Sequence, residues 1–267
     1  MSVGQTSTPK AAGKQLPSQP AAKGRTYVYA IVTDAQGRTY GDFGIDGRTV
    51  YSIPVGRVAA VVSDVPSGAV RPERSRLAAH QQVLKKLLAE GTPLPMSFGI
   101  LADSPEAVRK MLSRNQRALL EQLRRVAGRV EMGLRIIWDV PNIFEYFVNT
   151  HQELRLARDR LLGGHREATQ EQKIEVGRMF DRLLNDDREA YADKVEEILA
   201  PHCIELERNK CRNEREVMSL ACLVERAAMP QFESGIFEAA RQFDNNFAFD
   251  YNGPWAPHNF VEIDLEL

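Results

Sequence analysis

Apolar residues recur along this chain in short bursts whose period switches between two and about three and a half, which predicts an α+β fold. Tyr27-Val28-Tyr29-Ala30-Ile31-Val32 is β-branched and aromatic and predicts the first strand. A Gly- and Asp-rich loop, Asp34 to Gly47, ends it. The runs Thr49–Ile53 and Val58–Val62 flank Pro54-Val55-Gly56-Arg57, a spacing that predicts a β-hairpin. Leu77, Leu84, Leu87 and Leu88 then predict a helix over 72–91, stopped by Gly91 and Pro93. Leu94 to Leu101 reads as a short buried strand. Ser104-Pro105-Glu106 opens the next helix with a hydroxyl cap, a proline at the first helical position and an acid at the positive dipole end. Its stripe is Val108, Met111, Leu112, Leu119, Leu123 and Val126, and the unit closes near Gly128.

A second unit begins with a strand at Val130–Trp138 that puts Leu134, Ile136 and Trp138 on one face. Asp139-Val140-Pro141-Asn142 breaks it, and Phe144, Phe147, Val148, Leu154 and Leu161 mark a helix out to Gly163-Gly164. Thr169-x-x-Gln172 has the pattern of a capping box, opening a long helical stretch to Pro201. The two segments predict an antiparallel helical hairpin over about 142–199. Two strands (Cys203–Glu207 and Val217–Val224), a helix through Phe232, Ile236, Ala240 and Phe243, and the strand Phe247–Tyr251 follow. After a turn at Asn252-Gly253-Pro254, Val261 to Leu267 alternates apolar with acidic residues. The order matches the split βαββαβ, ferredoxin-like arrangement with extra helix length in its first crossover. The expected organisation is a solvated tail over 1–25, an N-terminal α+β domain over 26–129 and a C-terminal domain over 130–267.

Composition narrows the function classes. The chain has 267 residues, and 35 basic and 36 acidic side chains leave a net charge of −1, without the positive surplus that nucleic-acid binding draws on. No apolar run reaches membrane-spanning length, and the N-terminus carries no secretory apolar segment. Cys203, Cys211 and Cys222 form no Cys-x-x-Cys pair, which argues against a disulfide framework or structural zinc and points to a reducing, cytoplasmic setting.

Candidate chemistry is sparse. His80 falls at a core-facing helix position and reads as a satisfied buried histidine. His151-x-Glu153 and His165-x-Glu167 put their members on different helix faces. His202-Cys203 is the best metal fragment, but neighbours on a strand point to opposite faces. Asp186-Asp187 and Glu196-Glu197 read as a solvated helix face. Nucleophile elbows and phosphate-cradling glycine loops are absent. The expectation is a protein that is not an enzyme, with no cofactor, metal or catalytic residue.

Four segments in order carry a resemblance: Tyr27–Val32; Pro93-Leu94-Pro95-Met96-Ser97-Phe98-Gly99; Val130–Asp139; and Tyr251-Asn252-Gly253-Pro254-Trp255-Ala256-Pro257-His258-Asn259-Phe260-Val261. The chain resembles the gas vesicle protein F/L family from Thr26 onward. Ser97 stands where that family commonly has a basic residue. The resemblance implies two α+β domains, the second a modified ferredoxin-like one. It also implies an accessory or minor structural protein, cytoplasmic and associated with the gas vesicle. The implied partners are the hydrophobic shell protein and other accessory proteins. Trp255, a rigid aromatic between prolines, and Phe260, Val261, Ile263 and Leu265 are the partner-binding candidates. The alternation after Val261 equally fits an ordinary half-buried last strand, and Trp255 equally fits a plug over the sheet. The alternative function is a ligand-sensing regulatory protein without catalytic activity.

Overall fold

The structure, a computed structural model, describes residues 24–163 and 169–262. Its N-terminal half is a sheet with one long helix on each face. The strands are β1 (Arg25–Val32), β2 (Thr39–Gly41), β3 (Val50–Val55) and β4 (Val58–Val65), followed after helix α1 (Arg74–Glu90) by the short β5 (Leu94–Pro95) and β6 (Leu101–Ala102). Their order is β2-β3-β4-β1-β5, with β6 also pairing with β1. Helix α2 (Pro105–Val126) covers one face through Val108, Met111, Leu112, Leu119 and Leu123, which meet Val28, Ile31, Ile53, Ala60 and Val62. On the other face Val83, Leu84 and Leu87 of α1 meet Tyr27, Tyr29, Val50 and Val61. Burial on both faces explains the nearly unbroken apolar run of β1. A bulge between Val28 and Ala30 lets Tyr29 and Ala30 both face α1, so the strict period of two fails there.

Leu94–Leu101 is not the continuous strand its composition suggests. Only its ends pair with β1, because Pro95 lacks a ladder donor and Gly99 takes φ +93° between them. Ser104 caps α2 by accepting from the Ala107 N–H at 3.2 Å, as its hydroxyl predicts.

The C-terminal half is built on strands β7 (Arg129–Trp138), β8 (Glu205–Asn209), β9 (Glu216–Glu225) and β10 (Phe247–Trp255). They are all antiparallel, in the order β10-β7-β9-β8. Between β7 and β8 run α3 (Ile143–Thr150), α4 (Gln152–Leu162) and α5 (Gln170–Leu199), and α6 (Met229–Ala240) links β9 to β10. The expected first arm of the hairpin is thus two helices. His151 is extended (φ −115°, ψ 110°), Thr150 Oγ1 donates back to the Tyr146 carbonyl, and Arg155 ties down the carbonyls of Val148 and Asn149. The capping box at Thr169 and Gln172 is complete, each side chain accepting from the other's N–H.

All four helices pack on one face of this sheet, around Val130, Met132, Leu134, Ile136, Trp138, Phe147, Val195 and Phe232. Asn252-Gly253-Pro254 is a register break within β10 rather than a turn after it, and the strand runs on to Trp255. Val261 and Glu262 lie outside any strand; the alternating segment from Ile263 to Leu267 falls outside the described residues, as does residues 1–23 of the expected tail. The halves are joined by hydrogen bonds from Thr92 to the Arg129 carbonyl (3.0 Å) and from Arg226 to the Leu88 carbonyl (2.6 Å), and by the Arg125–Glu205 ion pair.

Candidate interaction surface on the second sheet

Because side chains alternate along a strand, the face of the second sheet opposite the helices is set by the intervening residues. On β7 these are Glu131, Gly133 and Arg135; on β9, Ser219, Ala221 and Leu223; on β10, Asp250 and Asn252. Among the described residues no helix covers this face. Instead the segment after β10 folds back over one end of it, where Phe260 is buried (1% exposed) against Ala221 and Leu223. Beside the fold-back lies an open concavity of about 350 Å³, walled by Glu131, Arg135, Asn209, Arg212, Asp250 and Trp255.

The fold-back is fastened by one carboxylate. Glu131 accepts from the Asn259 N–H (2.8 Å) and from Asn259 Nδ2 (2.7 Å), using both oxygens. Burial pushes this carboxyl above its usual range, and the two Asn259 donors pull against that shift. Gly253 fits the same corner: it takes φ +128°, and a Cβ there would stand 2.9 Å from Met132 Sδ and 3.0 Å from the Glu131 carbonyl oxygen. Trp255 is 42% exposed, with its indole N–H donating to Asn252 Oδ1 (2.8 Å). Along the rim Arg135 pairs with Asp250 at 2.6 Å and approaches the buried Glu216 at 3.6 Å. Glu216 Oε1 has no hydrogen bond, but this charge contact from Arg135 and the Arg212 N–H donated to its other oxygen offset its burial.

The sequence-derived partner candidates separate here. Trp255 is at the concavity; Phe260 is buried behind it and holds the fold-back; Val261 packs against the core of the N-terminal half under α2. Ile263 and Leu265 lie outside the described residues. Glu131, Arg135 and Asn259 were missed. For Glu131 and Arg135 the signal was present: with Arg129 they stand on the alternate positions of an otherwise apolar β7, marking a face that something polar must meet.

The remaining candidates are structural. His80 is 2% exposed, its Nδ1 2.9 Å from the Tyr27 hydroxyl, which also accepts from the Gly99 N–H at 3.0 Å. Burial, and then the neighbouring His258, press its pKa down to about 4. His202 packs against Gly235, and Asp187 lies 3.4 Å from His151. Arg208 gathers Glu189, Asp193 and Glu196 across the helix–sheet seam. Among the described residues no three His, Cys, Asp or Glu side chains are grouped to hold a metal ion, and no helix is long and apolar enough to cross a membrane.

The architecture defines a two-sheet α+β protein whose distinctive surface is a polar, tryptophan-walled sheet face. Residues 25–262 match the family model described as gas vesicle synthesis protein GvpL/GvpF, and the chain belongs to that family. It is 29% identical over 242 residues to gas vesicle protein F of Streptomyces sp. (strain CB03234), covering 89% of this chain and 99% of that one. It is 25% identical over 240 residues to gas vesicle protein F of Nostoc sp. (strain PCC 7120), covering 89% and 98%. The crystal structure of GvpF from Anabaena sp. PCC7120 superposes with a TM-score of 0.77 at 24% identity, over 90% of this chain and 99% of that one, which shows the shared fold. The family is one of gas vesicle proteins and not a known enzyme family.

Proposed function

We propose that this chain is a gas vesicle accessory or minor structural protein that binds the hydrophobic shell protein and supports vesicle assembly, working as a binding protein without catalysis or cofactor. The observation that carries the reading is the family match over residues 25–262. The physical need is plain. An apolar shell subunit left unpaired in water self-associates, and a protein that covers its sticky surface keeps it available for ordered addition.

Within this reading the open face of the second sheet is the contact surface. Trp255 serves as its aromatic anchor, and Arg135, Asp250 and Arg212 form its polar rim. Val261, Ile263 and Leu265 are further partner-contact candidates, while Phe260 supports the fold-back from beneath. Other gas vesicle accessory proteins are further partners, and the setting is the cytoplasm at the vesicle. We also read the chain as two domains, 26–129 and 130–267, the second of ferredoxin-like type; the β10-β7-β9-β8 order and its wholly antiparallel pairing support this.

Co-expression with the shell protein tests the function. The tagged chain is expected to co-purify with the shell protein, and Trp255→Ala to lower the recovered shell protein at least five-fold while the chain itself stays folded. Normal vesicles in a strain lacking this gene and any paralogue of it, or undiminished recovery by Trp255→Ala, would overturn the reading or its surface respectively.

A further inference from the structure

Among the described residues β10 pairs with β7 alone and leaves its other edge without a strand. The register decides which of its backbone groups are already used. The Asp139 N–H donates to the Asn246 carbonyl at 2.7 Å, so these two residues form a hydrogen-bonded pair, and such pairs alternate along an antiparallel ladder. Ala248, Asp250 and Asn252, opposite Ile137, Arg135 and Gly133, therefore turn their N–H and C=O groups toward β7. Phe249 and Tyr251, opposite Ile136 and Leu134, turn theirs away, toward the free edge. The Trp138 N–H shows the same phase from the other strand, donating away from β10 to the Arg215 carbonyl at 2.9 Å. The outward Phe247 N–H is closed by the Asp244 carbonyl (3.3 Å), whereas Phe249 and Tyr251 have no such partner among the described residues.

The other edges are guarded in ways this one is not. The strand β8 is five residues long, with Glu205 and Arg208 held in ion pairs, and β2 is three residues long. β10 spans nine residues, and Phe247–Asn252 keep unbroken register with β7 while carrying one charge, Asp250. An edge of that kind is a template for one more strand. Its outward groups recur at every second residue, a spacing that fits an extended chain and not a helix. The flanking side chains state what that chain must carry. On the helix side Phe249 and Tyr251 pack on the core, and Phe243 meets Phe249 at 5.2 Å between ring centroids, so apolar residues are needed there. On the other side Asp250 and Asn252 border the concavity beside Trp255, so the alternate residues must be polar.

We propose that the free edge of β10 pairs with an extended, alternately apolar strand of the hydrophobic shell subunit. This rests on the shell-binding reading above and adds the mode of contact. The occupant follows from that reading: a subunit that self-associates through its own strand edges is held back by an edge that pairs with them. Phe249 and Tyr251 each supply one main-chain donor and one acceptor, and the neighbouring open face with Trp255 receives side chains and supplies the selectivity that a backbone ladder lacks.

Amide hydrogen exchange, resolved to single residues, tests this on the full chain alone and in its co-purified complex with the shell protein. In the free chain the Phe249 and Tyr251 amides are expected to exchange much faster than those of Ala248, Asp250 and Asn252, which the β7 ladder protects. In the complex the two outward amides are expected to slow by about ten-fold or more, with the three inward ones scarcely changed. Failure of the shell protein to co-purify would overturn the binding reading and this inference together. A complex in which Phe249 and Tyr251 exchange as they do in the free chain would overturn the strand pairing and leave the binding reading standing. Protection of these amides in the free chain that grows with its own concentration would assign the edge to a second copy and overturn the proposal.

Discussion

Asn259→Ala isolates the fastening of the fold-back. Asn259 gives Glu131 two donors, one from its backbone and one from its amide, at 2.8 and 2.7 Å. The substitution removes only the amide. A hydrogen bond to a charged acceptor contributes about 1.5–3 kcal/mol, and Glu131 at 8% exposed has little water to replace it. The adjoining concavity admits some solvent, so a loss near 2 kcal/mol is expected, about 4–8 °C in melting temperature for a chain of this size. The variant should also change its pH response. Glu131 already has a raised pKa, so the fold loses stability as pH rises through the interval between the carboxyl's unfolded and folded values. Losing a donor to the carboxylate raises the folded value further, so the deficit should be largest at neutral pH and shrink toward pH 4. Denaturant unfolding at pH 7 and pH 4, with Glu131 followed by carboxyl NMR, measures both. A deficit that is the same at the two pH values, or below about 0.5 kcal/mol at pH 7, would refute the reasoning that the latch works through a buried carboxylate.

Other expectations follow the same logic. His80 has its folded pKa lowered from 6.5 to about 4, so its contribution is present above pH 6.5 and is lost as pH falls toward 4. His80→Gln should flatten the pH dependence of unfolding in that window by up to about 3 kcal/mol, measured by denaturant titration across pH 7 to 4. Gly253→Ala forces a Cβ against the Glu131 backbone oxygen at a φ disfavoured for L residues and should cost about 1–3 kcal/mol, read from thermal unfolding. Trp255→Ala removes a ring 42% exposed that makes one side-chain hydrogen bond, so unfolding should shift by less than about 1 kcal/mol even as shell-protein recovery falls.

Much of this architecture is decided by residues within a few positions of each other. The β-branched run of β1, the hairpin at Gly56, the Ser104 cap with Pro105, and the Thr169–Gln172 box act over one to four residues, and each was legible from the chain alone. Where a local rule met a tertiary demand, the tertiary demand won. Tyr29 and Ala30 share a face through the bulge between Val28 and Ala30, and where the helix breaks at His151, Arg155 donates to the freed carbonyls of Val148 and Asn149. Trp255 could be named as an aromatic between prolines, but not placed at the edge of a concavity. Glu131 and Asn259 are 128 residues apart, and Phe260 finds Ala221 and Leu223 across the same sheet. No periodicity records such pairings, since they exist only once the order β10-β7-β9-β8 has set which strands are neighbours. Sequence thus determined the elements, their caps and their apolar faces. Only the folded sheet decided what lies opposite those faces, because alternation along a strand specifies two sides but not what will cover them.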